Sequence, residues 1–550
     1  MIQIIKANRF ILFSILILAA LLRFWKLDSI PPHLSPDEAS LGYNAYSILK
    51  TGKDEYGEVL PMIFKSFGDY KPGLYVYLSA PFVATLGLNE FTVRLPSAIA
   101  GIAIIYLIYL VTKKLFKNER LSLLAAFVAC VNPWLIYFAR GAWEANVSLA
   151  LTLLGVYFFL KSLEKNKLIL VSAIFFALTL LSYQGAKLST AIVVTLLGLL
   201  FINHLKRLDK KIILGSLAVG IIISLPILAS VYSDQAGRLS VVSVFSYSRS
   251  SADTQKILKQ GNESVGGAPQ LIFHSEALNW VRVIMGKWFN HFSARFLFFE
   301  GDWENPRHNS PNMGMFLLVD AFLIILGIIK FIGEGRNKFF LFIILWLVFA
   351  PLPSILSRDQ VHAIRSLNMA IPLIIISSFG LDGILKNLNK KFVGKGLVFV
   401  FIAIYLLNYV YYLDSYFVHL PVHNAKYWGY GYKQVVEYIN ESGLNSRNIV
   451  FQESYDQPFI YFLFYRKLNP LEFQRNVSYK ESSVGDVGLV EKLGNINFRF
   501  LSWPYKYPAK TIVVADEVAA PKELVLSDYT VLKEILRPDG SLAFLIMEAK

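Results

Sequence analysis

Residues 99–120 read IAGIAIIYLIYLVTKKLFKNER, an uncharged apolar run as far as Val111 followed by Lys113, Lys114, Lys117 and Arg120. Such a junction marks the cytoplasmic end of a membrane helix, because Lys and Arg are retained on that side of the bilayer. Long apolar runs recur at Ile11–Leu22 and Ile212–Leu225. Over 550 residues the chain is 55% hydrophobic and 17% charged, against ~25% charged in ordinary soluble proteins. These features predict a polytopic α-helical membrane protein. Spans long enough for ~30 Å of hydrocarbon are read at 9–25, 94–114, 121–138, 146–162, 168–183, 188–204, 212–231, 313–332, 338–356, 364–384 and 396–413, about eleven helices.

The remaining charges orient these spans. Lys6 and Arg9 precede the first one, and no small-residue cleavage site follows it before Arg23, Trp25 and Lys26, so an uncleaved helix with a cytoplasmic N-terminus is expected. The stretch Leu74–Leu88 is shorter and carries Pro81. If it lies in the interface or re-enters, the loops KKLFKNER, KSLEKNK, HLKRLDKK, KFIGEGRNK and KNLNKKFVGK all face the cytoplasm; if it crosses, all five are outside, against the positive-inside rule. The interfacial reading is taken. The excess of 54 basic over 39 acidic residues, +15, then follows from orientation within a cell membrane and does not call for nucleic acid. A single cysteine, Cys130, excludes a disulfide framework or a Cys-based zinc cluster.

By the same parity 26–93, 140–145, 183–187, 233–312, 357–364 and everything past about Leu413 lie on the outer face. Residues 1–415 form the membrane domain, and 416–550 read as a small soluble α/β or α+β domain. Within it Tyr432–Asn440 predicts an amphipathic helix, Asn448–Glu453 and Thr511–Ala515 buried strands, and Tyr529–Ile535 with Leu542–Glu548 a hairpin turning at Asp539-Gly540. His274–Asp302 has the amphipathic character of a segment lying along the membrane surface as a partial lid.

Ser35-Pro36-Asp37-Glu38 precede a helical stretch, Ala39–Leu49. Two readings stand side by side: helix capping with charges that complement the dipole, or a carboxylate tuned as a general base at an apolar boundary. The company of this pair favours the second. SPDEASLGYNAYSI is followed by FGDYKPGLYVYL at Phe67–Leu78, FTVRLPSAIAG at Phe91–Gly101 and ARGAWEANVSLAL at Ala139–Leu151, with QVHAIRSLNMAIPLIIISSFG at Gln360–Gly380. In this order the motifs resemble the GT-C glycosyltransferases of the protein O-mannosyltransferase and lipid A aminoarabinose transferase type, often grouped as family 39. The resemblance is good over about the first 200 residues and looser beyond.

The resemblance implies a GT-C-like fold and a sugar donor carried on a polyprenyl phosphate, used at the outer face to glycosylate a hydroxyl of a protein or glycolipid. Asp37 matches the acidic residue expected to activate the acceptor, with Glu38 beside it. Lys71 matches the basic residue of a Lys-Pro element that binds the donor phosphate. Glu144 stands where relatives often have Asp, and Tyr70 where some carry an acidic metal ligand; Asp69 is one step away, which leaves a divalent metal open. Physical chemistry agrees with these roles: the leaving phosphate needs fixed cations, for which Lys71, Arg140 and Arg365 are outer-face candidates, and attack by a base-activated hydroxyl from the far side of the ring inverts the sugar.

Each residue has a plainer reading. Without the resemblance, Lys71 reads as well as an interfacial snorkelling lysine; Arg94 reads as a membrane-edge anchor, and Arg140 with Glu144 as an i, i+4 pair. Arg307 and His308 divide between substrate contact and a solvated turn, and Lys187 between phosphate contact and surface anchor. Among aromatics near span ends, Trp143, Trp280 and Trp288 are candidates for stacking on a sugar. The alternative function is a polytopic transporter or lipid flippase, but no internal repeat is visible and the acidic residues of interest sit in outer loops rather than at the midplane. A metal-dependent oligosaccharyltransferase ranks lower, since the first loop lacks Trp-Trp-Asp and Asp-x-Asp elements.

Overall fold

The computed structural model describes residues 2–67, 69–232, 243–246, 248–333, 337–386, 392–453, 457–480, 489–503, 506–521 and 527–550. Parts of the loops expected at 233–312, 330–338 and 386–395 therefore lie outside the described residues. A helix occupies every one of the expected spans. Among the described residues seven of these helices are long and apolar enough to cross a membrane, and eight if Glu119–Val131 and Pro133–Ala139 count as one span bent by 59°. The other three, Leu168–Ser182, Ala186–Leu200 and Asp320–Gly333, have only 14 or 15 residues. At 1.5 Å per residue they extend roughly 21–23 Å, short of a full crossing, which composition alone did not reveal. Leu74–Leu86, of 13 residues, is likewise too short to span upright.

The elements around the candidate site are, in chain order, α1 (Ile2–Phe24), α2 (Pro36–Thr51), a hairpin of β1 (Ile63–Ser66) and β2 (Asp69–Pro72), α3 (Leu74–Leu86), α4 (Glu90–Phe116), α5 (Glu119–Val131), α6 (Pro133–Ala139), α7 (Glu144–Ser162), α8 (Leu168–Ser182) and α9 (Ala186–Leu200). Each break has a local cause. Between α5 and α6, Asn132 is extended and its side chain accepts from the Leu135 N–H, while Pro133 sits at the first helical position; a proline cannot continue the preceding ladder but is preorganised to start a new helix. Further along, Gly327 and Gly380 let Asp320–Gly333 and Ala370–Lys386 cross closely: a Cβ at either would lie 2.1 Å from a carbonyl oxygen of the other helix. The last apolar helical run continues through 415 and ends at His423.

Beyond it lies a seven-stranded mixed sheet in the order β4-β5-β6-β3-β7-β9-β8. Here β3 (Ile449–Gln452) runs parallel to β6 (Ile496–Arg499) and β7 (Ile512–Asp516), and the flanking β4 (Val477–Lys480), β5 (Leu489–Leu493), β8 (Tyr529–Leu536) and β9 (Leu542–Ala549) pair antiparallel. The expected helix, buried strands and hairpin are present. The buried helix Phe459–Tyr465 docks on α2, where Gly42 leaves room for Phe464 and Val93. Polar contacts fix this seat: Tyr43 donates to the Leu468 carbonyl at 3.1 Å and Tyr461 to that of Leu34 at 3.1 Å. His33 takes the Lys433 N–H on Nε2 at 3.1 Å and meets the Leu34 carbonyl with Nδ1 at 2.8 Å.

Candidate active site

Helix α2 begins with a capping box. The Ser35 hydroxyl accepts from the Glu38 N–H at 3.3 Å, and Glu38 Oε2 accepts from the Ser35 N–H at 2.9 Å. This satisfies helix-end donors reciprocally and turns Glu38 inward, where Oε1 accepts from Arg94 Nε at 3.0 Å and the Ala142 N–H at 2.8 Å. Arg94 completes its shell with the carbonyls of Leu27, Pro31 and His33. Arg94 is thus no membrane-edge anchor: it is fully buried, and with Glu38 it joins the first loop, α4 and the turn before α7. Glu38, 1% exposed, is committed to this joint. Arg94→Met leaves a buried carboxylate without its cation, which destabilises by about 3–5 kcal/mol; thermal unfolding in detergent should show a clearly lowered midpoint, and an unchanged midpoint would contradict this role.

Asp37, one residue earlier, points the other way. Its carboxylate is half exposed at 51% and forms an ion pair with Lys71 Nζ. The β1–β2 hairpin delivers that lysine. Register pairs Phe64 with Lys71 and Ser66 with Asp69, so Lys71 and Asp69 share the face whose Ser66 hydroxyl meets that of Ser40 on α2 at 3.2 Å. Gly73 ends the hairpin beneath Phe64, whose ring would lie 2.4 Å from any Cβ there. Burial works against the Lys71 charge, but Asp37, Glu144 and Asp69 more than offset it and raise the ammonium above its ordinary range; it stays protonated at any physiological pH.

The neighbouring loops close around this pair. Glu144, at the start of α7, feels the charges of Lys71, Asp37 and Asp69, and its Oε1 is buried without a hydrogen-bond partner. Asp69 also acts on Lys187 at the start of α9. Burial pushes the Tyr183 phenol up to about 12, opposed by Arg365, to which it hydrogen-bonds, and reinforced by Glu144. Arg365 itself pairs with Asp359 at 2.8 Å, and Gln184 donates to the Tyr70 carbonyl. Asp37, Asp69, Lys71, Glu144, Lys187 and Arg365 are therefore brought together from four separate loops. Tyr183 and Gln184 were passed over in the sequence, where they read only as the approach to Lys187.

Arg140 is a correction. It does not join this group and does not pair with Glu144, because all three guanidinium nitrogens are engaged elsewhere: Nε with the Tyr416 hydroxyl at 3.1 Å, Nη1 with the Leu22 carbonyl at 2.8 Å, and Nη2 with the carbonyls of Trp25, Lys26 and Ile30. A fully buried guanidinium that saturates backbone acceptors is a brace for the turn after α1. His308 is no solvated turn residue either: it is buried and hydrogen-bonded to Asp302. Arg307 lines a cleft of about 400 Å3 between the end of the long loop and the C-terminal sheet, with Lys426, Tyr430 and Arg537. Trp143 stands edge-on to His308 and Trp428, and Trp288 is fixed by its N–H to the Val348 carbonyl at 3.0 Å.

The loop-one residues do not fit a metal of the kind that the resemblance leaves open. Tyr70 stands at the ligand position, and the three carboxylates Asp37, Asp69 and Glu144 already share a cation, Lys71. A further acid was missed in the sequence. Glu55, 1% exposed, is pushed up to about 8 by burial and by Asp54, with Lys71 opposing. From its ordinary 4.5 to about 8 the folded chain holds a proton that the unfolded chain releases, so stability falls as pH rises across that window. Glu55→Gln should raise the unfolding free energy at pH 8, by on the order of a few kcal/mol, and leave it unchanged at pH 4; an equal effect at both would remove this account.

Residues 70–229 match the family described as Dolichyl-phosphate-mannose-protein mannosyltransferase. Among solved structures, ArnT from Cupriavidus metallidurans bound to undecaprenyl phosphate is similar over 97% of this chain and 97% of its own, with a TM-score of 0.54 at 12% identity. The same protein in its apo state gives a TM-score of 0.52 at 12% identity, also over 97% of both chains. Comparison with curated proteins gives no match. The motifs Phe91–Gly101 and Ala139–Leu151 lie within the matched residues, and the match begins in the hairpin that carries Lys71. The family match is thus confined to residues 70–229, while the fold of the ArnT structures is shared along nearly the whole chain.

Proposed function

We propose that the chain transfers a sugar from a polyprenyl-phosphate-linked donor to a hydroxyl acceptor, a protein or glycolipid, at the outer face of the membrane, with inversion and with Asp37 as the base. The observation that carries this reading is the ion pair of a half-exposed Asp37 with Lys71, ringed by Glu144, Tyr183, Lys187 and Arg365. Lys71 binds the donor phosphate and stabilises it as leaving group. In doing so the phosphate competes with Asp37 for the ammonium, which releases the carboxylate to accept the acceptor's proton once donor is in place. Arg365 and Lys187 supply further positive charge, and Glu144 lies where an oxocarbenium-like sugar would be stabilised. Glu38 contributes by holding the start of α2. The ArnT structure bound to undecaprenyl phosphate supports a lipid phosphate as the donor's carrier.

The N-terminus is assigned to the cytoplasm and 416–550 to the outer face, as the basic loops require. Two measurements test the reading. Membranes containing the protein, given radiolabelled polyprenyl-phosphate sugars, should form a labelled glycoside with the anomeric configuration opposite to the donor's. No transfer from any such donor would leave the transporter or flippase alternative. A cysteine placed in the exposed β8–β9 turn at Asp539 should react with an impermeant maleimide in intact cells, and protection there would reverse the orientation.

A further inference from the structure

We propose that Asp302, His308 and His362 form a binding site for a divalent first-row transition metal of the zinc class, clasping the end of the long outer loop to the 357–366 segment. The side-chain ligand atoms of the three residues lie within 4.8 Å of one another, and the two imidazole rings are 4.9 Å apart between centroids. One carboxylate and two imidazoles are a ligand set suited to zinc and its neighbours, with a further position left for water; magnesium and calcium would seek oxygen ligands throughout.

Three observations separate this group from an ordinary buried histidine pair. First, Asp302 is 0% exposed, and among the described residues its one ion-pair partner is an imidazole, His308, at 2.7 Å. A buried carboxylate is costly without a firm positive charge beside it, and a divalent cation supplies one. Second, the carboxylate is held as a ligating carboxylate is held. Oδ1 accepts from Asn305 N at 3.2 Å and Nδ2 at 2.9 Å, and Oδ2 accepts from the Ala363 N–H at 2.8 Å. Third, His362 comes from a different segment and is only partly buried, which opens the group to ions from the aqueous side.

A metal bound at His308 Nδ1 takes the place of the hydrogen bond to Asp302 Oδ2, and a neutral imidazole keeps its proton by carrying it on Nε2. No electron moves, and the role is structural. His362 lies three residues before Arg365, so the clasp fixes the segment that presents Arg365 to Tyr183. The site is independent of the transferase reading, since none of its three residues belongs to the Asp37–Lys71 group.

The test uses the full chain, purified in detergent without chelators, incubated with Zn2+, desalted and analysed for metal. About one zinc per chain is expected, and Co2+ in its place should give the visible absorption of a low-coordinate cobalt site. His362→Ala and His308→Ala should each lower zinc retention at least tenfold, and Asn305→Ala, which removes only the carboxylate's support, should weaken it by about 10-fold or more. If His308→Ala does not fold, the partly exposed His362 variant and the cobalt spectrum of the unaltered chain decide. No zinc above trace together with no cobalt spectrum, or zinc retained unchanged in His362→Ala, overturns the proposal.

Discussion

Asp37→Asn is expected to lower sugar transfer by about 10²–10⁴-fold, the contribution of a positioned general base, with donor KM unchanged or lower. The direction of KM separates this from structural damage. Asn keeps the size of the side chain but cannot hold Lys71 by charge, so the donor phosphate meets less competition for the ammonium while the acceptor hydroxyl loses its proton acceptor. The capping alternative predicts something different. Ser35 and Glu38 carry the capping box themselves, so removing the charge at Asp37 forfeits only a dipole interaction of about 0.3–1 kcal/mol, and the variant should fold and reach the membrane in normal amounts. Initial rates with radiolabelled donor across a range of concentrations give kcat and KM separately. Transfer within a few-fold of the unaltered protein would end the assignment of Asp37 as base and leave the residue as a helix-start charge.

That prediction depends on a distinction between neighbours that sequence could not draw. Asp37 and Glu38 are adjacent, and both acid types suit a helix start. On a helix, adjacent residues diverge by about 100°, so one faces the bundle and the other the loops. Which is which is decided by Arg94, 56 residues further along and fully buried against Glu38. An arginine at the head of an apolar run looks like an interfacial anchor until its partner is known. Arg140 misleads for the same reason: its acceptors are main-chain carbonyls near the end of α1, which no side-chain pattern announces. Asp69, Lys71 and Glu144 were legible as neighbours because a short Lys-Pro element and a helix start confine them locally, and their meeting needs only that these loops converge.

The fold shows a similar division. Apolar runs with basic edges located the membrane helices, but the Asn132-Pro133 break and the 15-residue lengths of α8 and α9 blur into neighbouring apolar residues. In the C-terminal region the β8–β9 hairpin carries its own turn signal at Asp539-Gly540. The four- and five-residue strands β4, β5 and β6 carry little signal of their own, and the central β3 pairs in parallel with both β6 and β7 through long-range connections. Parallel pairing leaves no local turn to read.

Lys71→Met is expected to reduce kcat/KM for the donor by about 10²–10³-fold, the effect of removing one preorganised stabiliser of a developing anion, and here both constants should suffer. The phosphate loses its ground-state partner, which raises KM. It also loses the charge that stabilises it as it departs, which lowers kcat. A merely structural lysine gives another pattern. The Asp37–Lys71 pair is partly exposed at 51% and 20%, so its contribution to stability is about 0.2–1 kcal/mol, and the orphaned carboxylate can take water in place of the ammonium. Unfolding in detergent should therefore barely change while activity collapses. Lys71→Arg sharpens the reading: it keeps the charge but replaces a compact ammonium with a planar fork, so binding of the donor should largely recover while kcat recovers only in part, since the fork cannot sit where the ammonium meets both Asp37 and the leaving oxygen. Equal loss in the Met and Arg variants would mean that shape rather than charge matters at this position, and full activity in Lys71→Met would move the phosphate to Arg365 and Lys187, the two other cations that neighbouring loops bring to the same group.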